Sequence, residues 1–249
     1  MKLDNKIAID ANDIHYTQLN KLIRKAVAEK ATDIVIKNVL GQRFIASGLR
    51  AEINIDIYGV PGGDLGMFMN GPICNIYGNC EHAPGNTMDY GKIIVHGSTG
   101  DASAHSMRGG EMYVRDRIGY RGGIHMKEYD QKKPTLVVGK SADDFLGEYM
   151  AGGLILLLGI GQEAPFYGRG IGSGIHGGRI VIRGEIEDKY LGLGVKRLDM
   201  DTSLLNEVQS RIKEYCNYFN LDATKLLDEN YTVLGPASSR PFAGKYTWE

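Results

Sequence analysis

Short apolar runs recur through the middle of the chain: "GKIIVHG" (91–97), "GEMYVRD" (110–116), "PTLVVGK" (134–140), "GLILLLG" (153–159) and "GRIVIRG" (178–184). Each predicts a strand of about five residues, because β-branched or large apolar centres sit between Gly or Pro borders. The residues that close these and two earlier runs are Gly59, Gly78, Gly97, Asp116, Lys140, Gly159 and Gly184, at intervals of 19, 19, 19, 24, 19 and 25. A second column, Met69, Met88, Met107, Met126, Met150 and Ile175, keeps step at 19, 19, 19, 24 and 25. Three residues before each stands a small one: Gly66, Gly85, Ala104, Gly123, Gly147 and Gly172. A unit of this size cannot bury its own apolar face, but stacked on its neighbours it can. The pattern predicts an all-β fold, a parallel β-solenoid of about seven coils, which at ~4.8 Å per coil makes a rod of about 30 Å. Methionines stacked along the axis suit an irregular interior.

Strand alternation sorts the faces. With Ile93, Met112, Ile155 and Ile180, and then Val95, Val114, Leu157 and Ile182, facing inward, the outward column reads Ile94, Tyr113, Leu156 and Val181. An apolar outward column has to be covered. The chain's own helices are expected to cover part of it and a partner the rest, which makes Tyr113 a candidate interface residue.

Two amphipathic segments flank the repeats. Residues 16–30 place Leu19, Leu22, Ile23, Ala26 and Val27 on one helical face, with Thr17 positioned to cap. Residues 203–220 do the same with Leu204, Val208, Ile212, Tyr215 and Phe219. Both are expected to cap the open ends of the solenoid, where an exposed coil would template aggregation. The expected organisation is an N-terminal segment (1–30), the solenoid (31–185), and a C-terminal helical segment ending in an extended aromatic tail, "PASSRPFAGKYTWE" (186–249).

The stretch "GRGIGSGIHGGRIVIRG" (168–184) invites a phosphate-loop reading. Ser173 stands where the third glycine of GxGxxG belongs, and a strand follows rather than a helix, so no helix N-terminus is offered to a pyrophosphate. In the repeat register the stretch is the corner of the last coil, lengthened somewhere in 160–174. The other insertion follows Met126, in 127–133. Such loops are either contact sites or tolerated surface excursions. Gly168, Arg169, Gly170, Gly172 and Gly174 are the candidate partner-contact residues here.

Composition narrows the class. A hydrophobic fraction of 43% with 24% charged residues is ordinary for a soluble globular chain. A net charge of −1 offers no field for nucleic acid or an anionic membrane. The N-terminus lacks a signal-peptide core, the longest apolar stretch is "LILLL", and Cys74, Cys80 and Cys216 form no disulfide framework. A cytoplasmic, reduced protein is expected. The six histidines show no metal-ligand spacing, and the differing offsets of His105, His125 and His176 argue against a shared ladder. Asp143 and Asp144 are adjacent on an extended chain and point apart. No catalytic, cofactor or metal residue is assigned.

The stretches "GNTMDYGKIIVHG", "GDASAHSMRGGEMYVRD", "DFLGEYMAGGLILLLG" and "GRGIGSGIHGGRIVIRG" resemble the GxGxG-motif domain at the C-terminal end of the glutamate synthase large subunit, over roughly residues 30–185. With its flanks, the chain resembles the free-standing form found where that enzyme is split into separate polypeptides. The resemblance implies a right-handed parallel β-helix without cofactor, a non-catalytic scaffold. FMN and an iron–sulfur cluster would lie in a central synthase chain and the nucleophilic cysteine in a glutaminase chain. The chain begins Met-Lys and lacks the cysteines for a cluster, so no catalytic residue is carried over. A related domain forms a subunit of formylmethanofuran dehydrogenase, which is the second reading. An independent β-helix enzyme acting on saccharides or acyl groups is the third.

Overall fold

A computed structural model describes residues 5–166 and 168–238. One 11-stranded sheet runs the length of the molecule in the order β1-β2-β3-β4-β5-β6-β7-β8-β9-β11-β10. Its strands are β1 (Lys6–Asp10), β2 (Asp33–Leu40), β3 (Asn54–Val60), β4 (Asn70–Tyr77), β5 (Tyr90–Val95), β6 (Glu111–Val114), β7 (Thr135–Val138), β8 (Ala151–Leu157), β9 (Gly177–Arg183), β10 (Val195–Leu198) and β11 (Tyr231–Pro236). The helices are α1 (Tyr16–Ala28), α2 (Thr202–Phe219) and the short α3 (Thr224–Leu227).

β1 to β9 pair in parallel, each with the next, as a solenoid requires. The ladder Asn54↔Ile73↔Lys92↔Glu111↔Thr135↔Leu154↔Arg179 steps by 19, 19, 19, 24, 19 and 25, the intervals seen in the sequence. Six turns thus carry β3 to β9, the six intervals of the repeat columns. A further wrap of 21 residues, Asp33 to Asn54, opens the stack.

The inward columns and the Met69-to-Ile175 column are completely buried in one interior core. α1 closes its first coil: Leu19, Ile23 and Ala26 are buried in that core, with Leu22 and Val27 packed at its margin. Its cap is His15 rather than Thr17; the His15 ring accepts from the Thr17 N–H at the N-terminus of the helix. At the far end, Tyr190, Leu191 and Val195 lie against the same core.

α2 does not close an end. Leu204, Val208, Ile212, Tyr215 and Cys216 belong to a second core on the outer side of the sheet, together with Ile94, Tyr113, Val137, Leu156 and Val181. The outward column is therefore covered by the chain's own helix. The share assigned to a partner is taken by α2, with α3 and β11 beside it. Two cores flank one sheet, and that is why both strand faces are apolar from β5 onward.

Of the aromatic tail, residues 239–249 lie outside the described residues. No described helix is long and apolar enough to cross a membrane.

Candidate functional site

In each coil the wall that leads into the strand has an unusual backbone. Its three corner positions take positive φ in alternation: Asp64, Gly66 and Phe68 at 60°, 69° and 56°, Phe145, Gly147 and Tyr149 at 63°, 69° and 50°, and Gly170, Gly172 and Gly174 at 73°, 64° and 69°. Left-handed backbone costs roughly 1–2 kcal/mol at a non-glycine residue, so something must offset it. The hydrogen bonds between coils do. The outer two N–H groups reach the following coil (Asp64 to His82 O, 3.0 Å; Phe68 to Asn86 O, 3.0 Å), while the middle one reaches back (Gly66 to Ile45 O, 2.8 Å). At the last corner the middle N–H again reaches back, Gly172 to Leu146 O (2.7 Å), while Gly174 donates to Leu193 O (2.8 Å) and Ile171 to Tyr190 O (2.9 Å). Those donors are spent inside the chain, which removes the phosphate cradle on geometric grounds.

Packing accounts for the candidate glycines in the same way. A Cβ on Gly168 would stand 2.5 Å from Asp144 Oδ1, one on Gly170 would stand 2.7 Å from the Phe145 ring, and one on Gly172 would stand 2.9 Å from Val195 Cγ2. Gly174 is buried. Arg169 alone presents its side chain outward, 77% exposed; it pairs with Asp144 at 3.3 Å and lies 5.8 Å from the centre of the Phe145 ring. Arg121 approaches the same ring at 5.2 Å. Asp143, next to Asp144, pairs with Arg117 at 3.0 Å, so the two carboxylates serve coils on opposite sides.

On this wall the histidines depart from expectation. His105 and His125 lie with ring centres 6.1 Å apart, and His125 stacks on Tyr149 at 5.4 Å. Their offsets differ by one residue, a displacement of only about 3.4 Å along the chain, which a ring can bridge. Among the described residues no group of three or more His, Cys, Asp or Glu is placed to hold a metal ion. Cys74, Cys80 and Cys216 are free and buried; burial pushes the Cys74 thiol up to about 12.

The sheet's outer face divides in two. Tyr113, the remaining candidate, is fully buried beneath α2 and presents no surface to a partner. Toward the first coils its column turns polar, where Asn75 Nδ2 donates to Asp56 Oδ1 at 3.0 Å, and so does the adjacent Lys92 column, where Asn54 Nδ2 donates to Asp33 Oδ1 at 3.0 Å. α2 does not extend its apolar face there. Tyr58, Tyr77 and Tyr90 stand 42%, 40% and 59% exposed. Tyr58 stacks on Tyr77 (4.6 Å), Tyr77 on His96 (4.7 Å), and His96 meets Phe219 of α2 edge-on (5.2 Å). This aromatic row carries the open face to the helix.

At the boundary lies a cluster that the sequence reading missed. Lys92 and Glu111, neighbours in the ladder, meet Arg211, Glu214 and Tyr218 of α2. Lys92 pairs with Glu111 at 2.9 Å and with Glu214, while Arg211 pairs with Glu111 at 2.6 Å and with Glu214 at 3.0 Å. Tyr113 Oη donates to Glu214 at 2.6 Å and Tyr218 Oη at 3.0 Å. Two cations face two carboxylates, so the cluster is neutral as a whole. Desolvation opposes the charge on Glu214, yet Lys92 and the two tyrosine hydroxyls together hold its carboxyl down at about 2. The 19-residue spacing of Lys92 and Glu111 and the three-residue spacing of Arg211 and Glu214 are both visible in sequence, but not that the pairs meet. Lys92 and Glu111 also line a groove of about 350 Å³, bordered by Glu52, Asn54, Ile73 and Tyr90 over the glycines 71, 91 and 110.

The GXGXG motif profile matches residues 7–236. The chain belongs to the GXGXG family. An uncharacterized protein of Methanocaldococcus jannaschii is 50% identical to this GXGXG chain over 257 residues, covering 99% of the chain and 98% of that protein. Ferredoxin-dependent glutamate synthase 2 of Synechocystis is 24% identical over 187 residues, 70% of the chain. The chain matches only 11% of that much longer protein. The GXGXG protein is thus related to glutamate synthase.

Proposed function

We propose that this chain is the β-helical structural subunit of a glutamate synthase-type assembly. It holds a glutaminase chain and a central synthase chain together while glutamine, 2-oxoglutarate and a reductant yield glutamate. In this reading FMN and an iron–sulfur cluster belong to the synthase partner, the chain itself supplies no catalytic group, and the assembly works in nitrogen assimilation in the cytoplasm. The observation that carries the reading is the GXGXG repeat over residues 7–236, shared with a stretch of a ferredoxin-dependent glutamate synthase. The exposed tyrosines of the open face support it, since aromatic side chains on a rigid surface suit partner contact.

The test is affinity isolation of the tagged chain from its native host, followed by mass spectrometry and a glutamate-forming assay on the isolate. The proposal expects a flavin and iron–sulfur synthase chain and a glutaminase chain in stoichiometric amounts, with activity lost when this chain is removed. Recovery with subunits of a molybdopterin enzyme would transfer it to the formylmethanofuran dehydrogenase reading. Recovery of the chain alone would overturn both.

A further inference from the structure

The sheet ends on β1, which pairs with β2 and, among the described residues, with no other strand. Two hydrogen bonds fix which way its backbone groups point. The Ala11 N–H donates to Lys37 O at 2.8 Å, and Asn5 O accepts from the Thr32 N–H at 3.0 Å. By strand alternation Ile7 and Ile9 also aim at β2, so Lys6, Ala8 and Asp10 direct their N–H and C=O groups away from the sheet. This edge is not sealed by α1. Between the helix and the strand runs a groove of about 300 Å³, bordered by Ile7, Leu22, Lys25 and Glu29.

The edge reads Lys-Ile-Ala-Ile-Asp. Laid antiparallel on itself about Ala8, it puts Lys6 opposite Asp10 of a second copy, Ile7 opposite Ile9, and Ala8 opposite Ala8. The Lys6–Asp10 and Ala8–Ala8 positions are then hydrogen-bonded pairs of an antiparallel ladder, each exchanging two bonds, and Ile7–Ile9 the non-hydrogen-bonded pairs between them. Asp10 is poised as the anion of the pair, because Asn38 Nδ2 (2.9 Å) and the Asn12 N–H (3.0 Å) already bond its carboxylate. Edge charges commonly block strand addition, but in this register they are complementary. The opposite edge shows the contrast: β10 paired on itself about Lys196 sets Lys196 against Lys196 of the second copy, a repulsive pairing.

We propose that two copies of this chain join antiparallel through β1, continuing the sheet across a two-fold axis at Ala8. The occupant of the edge is a second copy, selected by charge complementarity. A five-residue ladder is a small interface, so the dimer is concentration-dependent.

Sedimentation velocity of the full chain from about 1 to about 200 µM tests this. The dimer is expected to grow in over that range, and Ala8→Pro is expected to abolish it with little change in melting temperature, since the lost N–H points away from β2. Lys6→Glu, which sets two like-charge pairs across the axis, should weaken it about tenfold. Ala8→Cys gives a second readout that does not depend on tolerance of proline. Hydrogen-bonded antiparallel partners lie about 5.5 Å apart at Cα, within disulfide reach, while the native cysteines are buried. Mild oxidation should therefore link Ala8→Cys into a dimer and leave the exposed control Lys213→Cys monomeric. A chain that stays monomeric throughout, a dimer untouched by Ala8→Pro, or head-to-tail polymers would each overturn the proposal.

Discussion

Tyr113 of β6 donates a 2.6 Å hydrogen bond to Glu214 of α2, across 101 residues of sequence. The contact joins the solenoid to the helix that covers it, at a position where desolvation penalises any unpaired charge. Removing one partner leaves Lys92, Arg211 and Glu111 out of balance. Glu214→Ala is expected to destabilise the chain by about 3 kcal/mol, and Tyr113→Phe by about 1.5 kcal/mol. Urea unfolding midpoints followed by circular dichroism check both. The double variant should lose less than the sum, since the two residues share one network.

Acid should undo the same joint. The Glu214 carboxyl ionises at about 2 in the folded chain against an ordinary 4.5. Its folded-state pKa is depressed, so its stabilisation is complete above about 4.5 and is lost as pH falls toward about 2. Melting temperature measured across that interval should fall, and Glu214→Gln should show a shallower decline.

Nearer neutrality His96 and His105 act in the same direction. Partial burial, with Arg115 nearby, lowers the pKa of His96; partial burial, with His125 nearby, lowers that of His105. Both favour the neutral ring when folded, so stability is present above the ordinary histidine pKa of 6.5 and declines as pH drops below it. His96→Phe should flatten that part of the profile.

The glycines of the last corner have a packing role. Gly170 has φ +73°, and a Cβ there would meet the Phe145 ring at 2.7 Å. Gly170→Val is expected to lower stability by roughly 2 kcal/mol and to lower assembly only in proportion to folding. A fully stable variant that fails to bind its partner chains would instead make the corner a contact site.

Interior methionines fill the core of the stacked coils. Met107 is completely buried. Met107→Ala should cost about 3 kcal/mol through the cavity it leaves, and Met107→Leu under about 1.5 kcal/mol. The three buried cysteines should resist thiol reagents until the chain unfolds, and Cys74, with no exposed surface, most of all.

The sequence alone determined the solenoid. Strand register repeats at a fixed interval because each coil stacks on the last, so Met69, Met88 and Met107 announce one interior column without any structure. Both insertions and all eight inward positions followed from that one period, and so did the reading of residues 168–174 as a corner. α1 and α2 were legible too, each burying the face its periodicity gave; the one-turn α3 was not.

Only the tertiary structure decided where α2 lies. Amphipathicity states that a face must be buried, not against what, and so α2 looked like a cap when it is the cover over Ile94, Tyr113 and Val181. Tyr113 passed from interface candidate to buried anchor for the same reason. The Lys92, Glu111, Arg211 and Glu214 cluster stayed hidden because its halves are about 100 residues apart, and no local period links them. The left-handed corners were likewise invisible at Asp64, Phe145 and Tyr149, where non-glycine residues hold positive φ: that strain is tolerated only because neighbouring coils supply the hydrogen bonds that offset it.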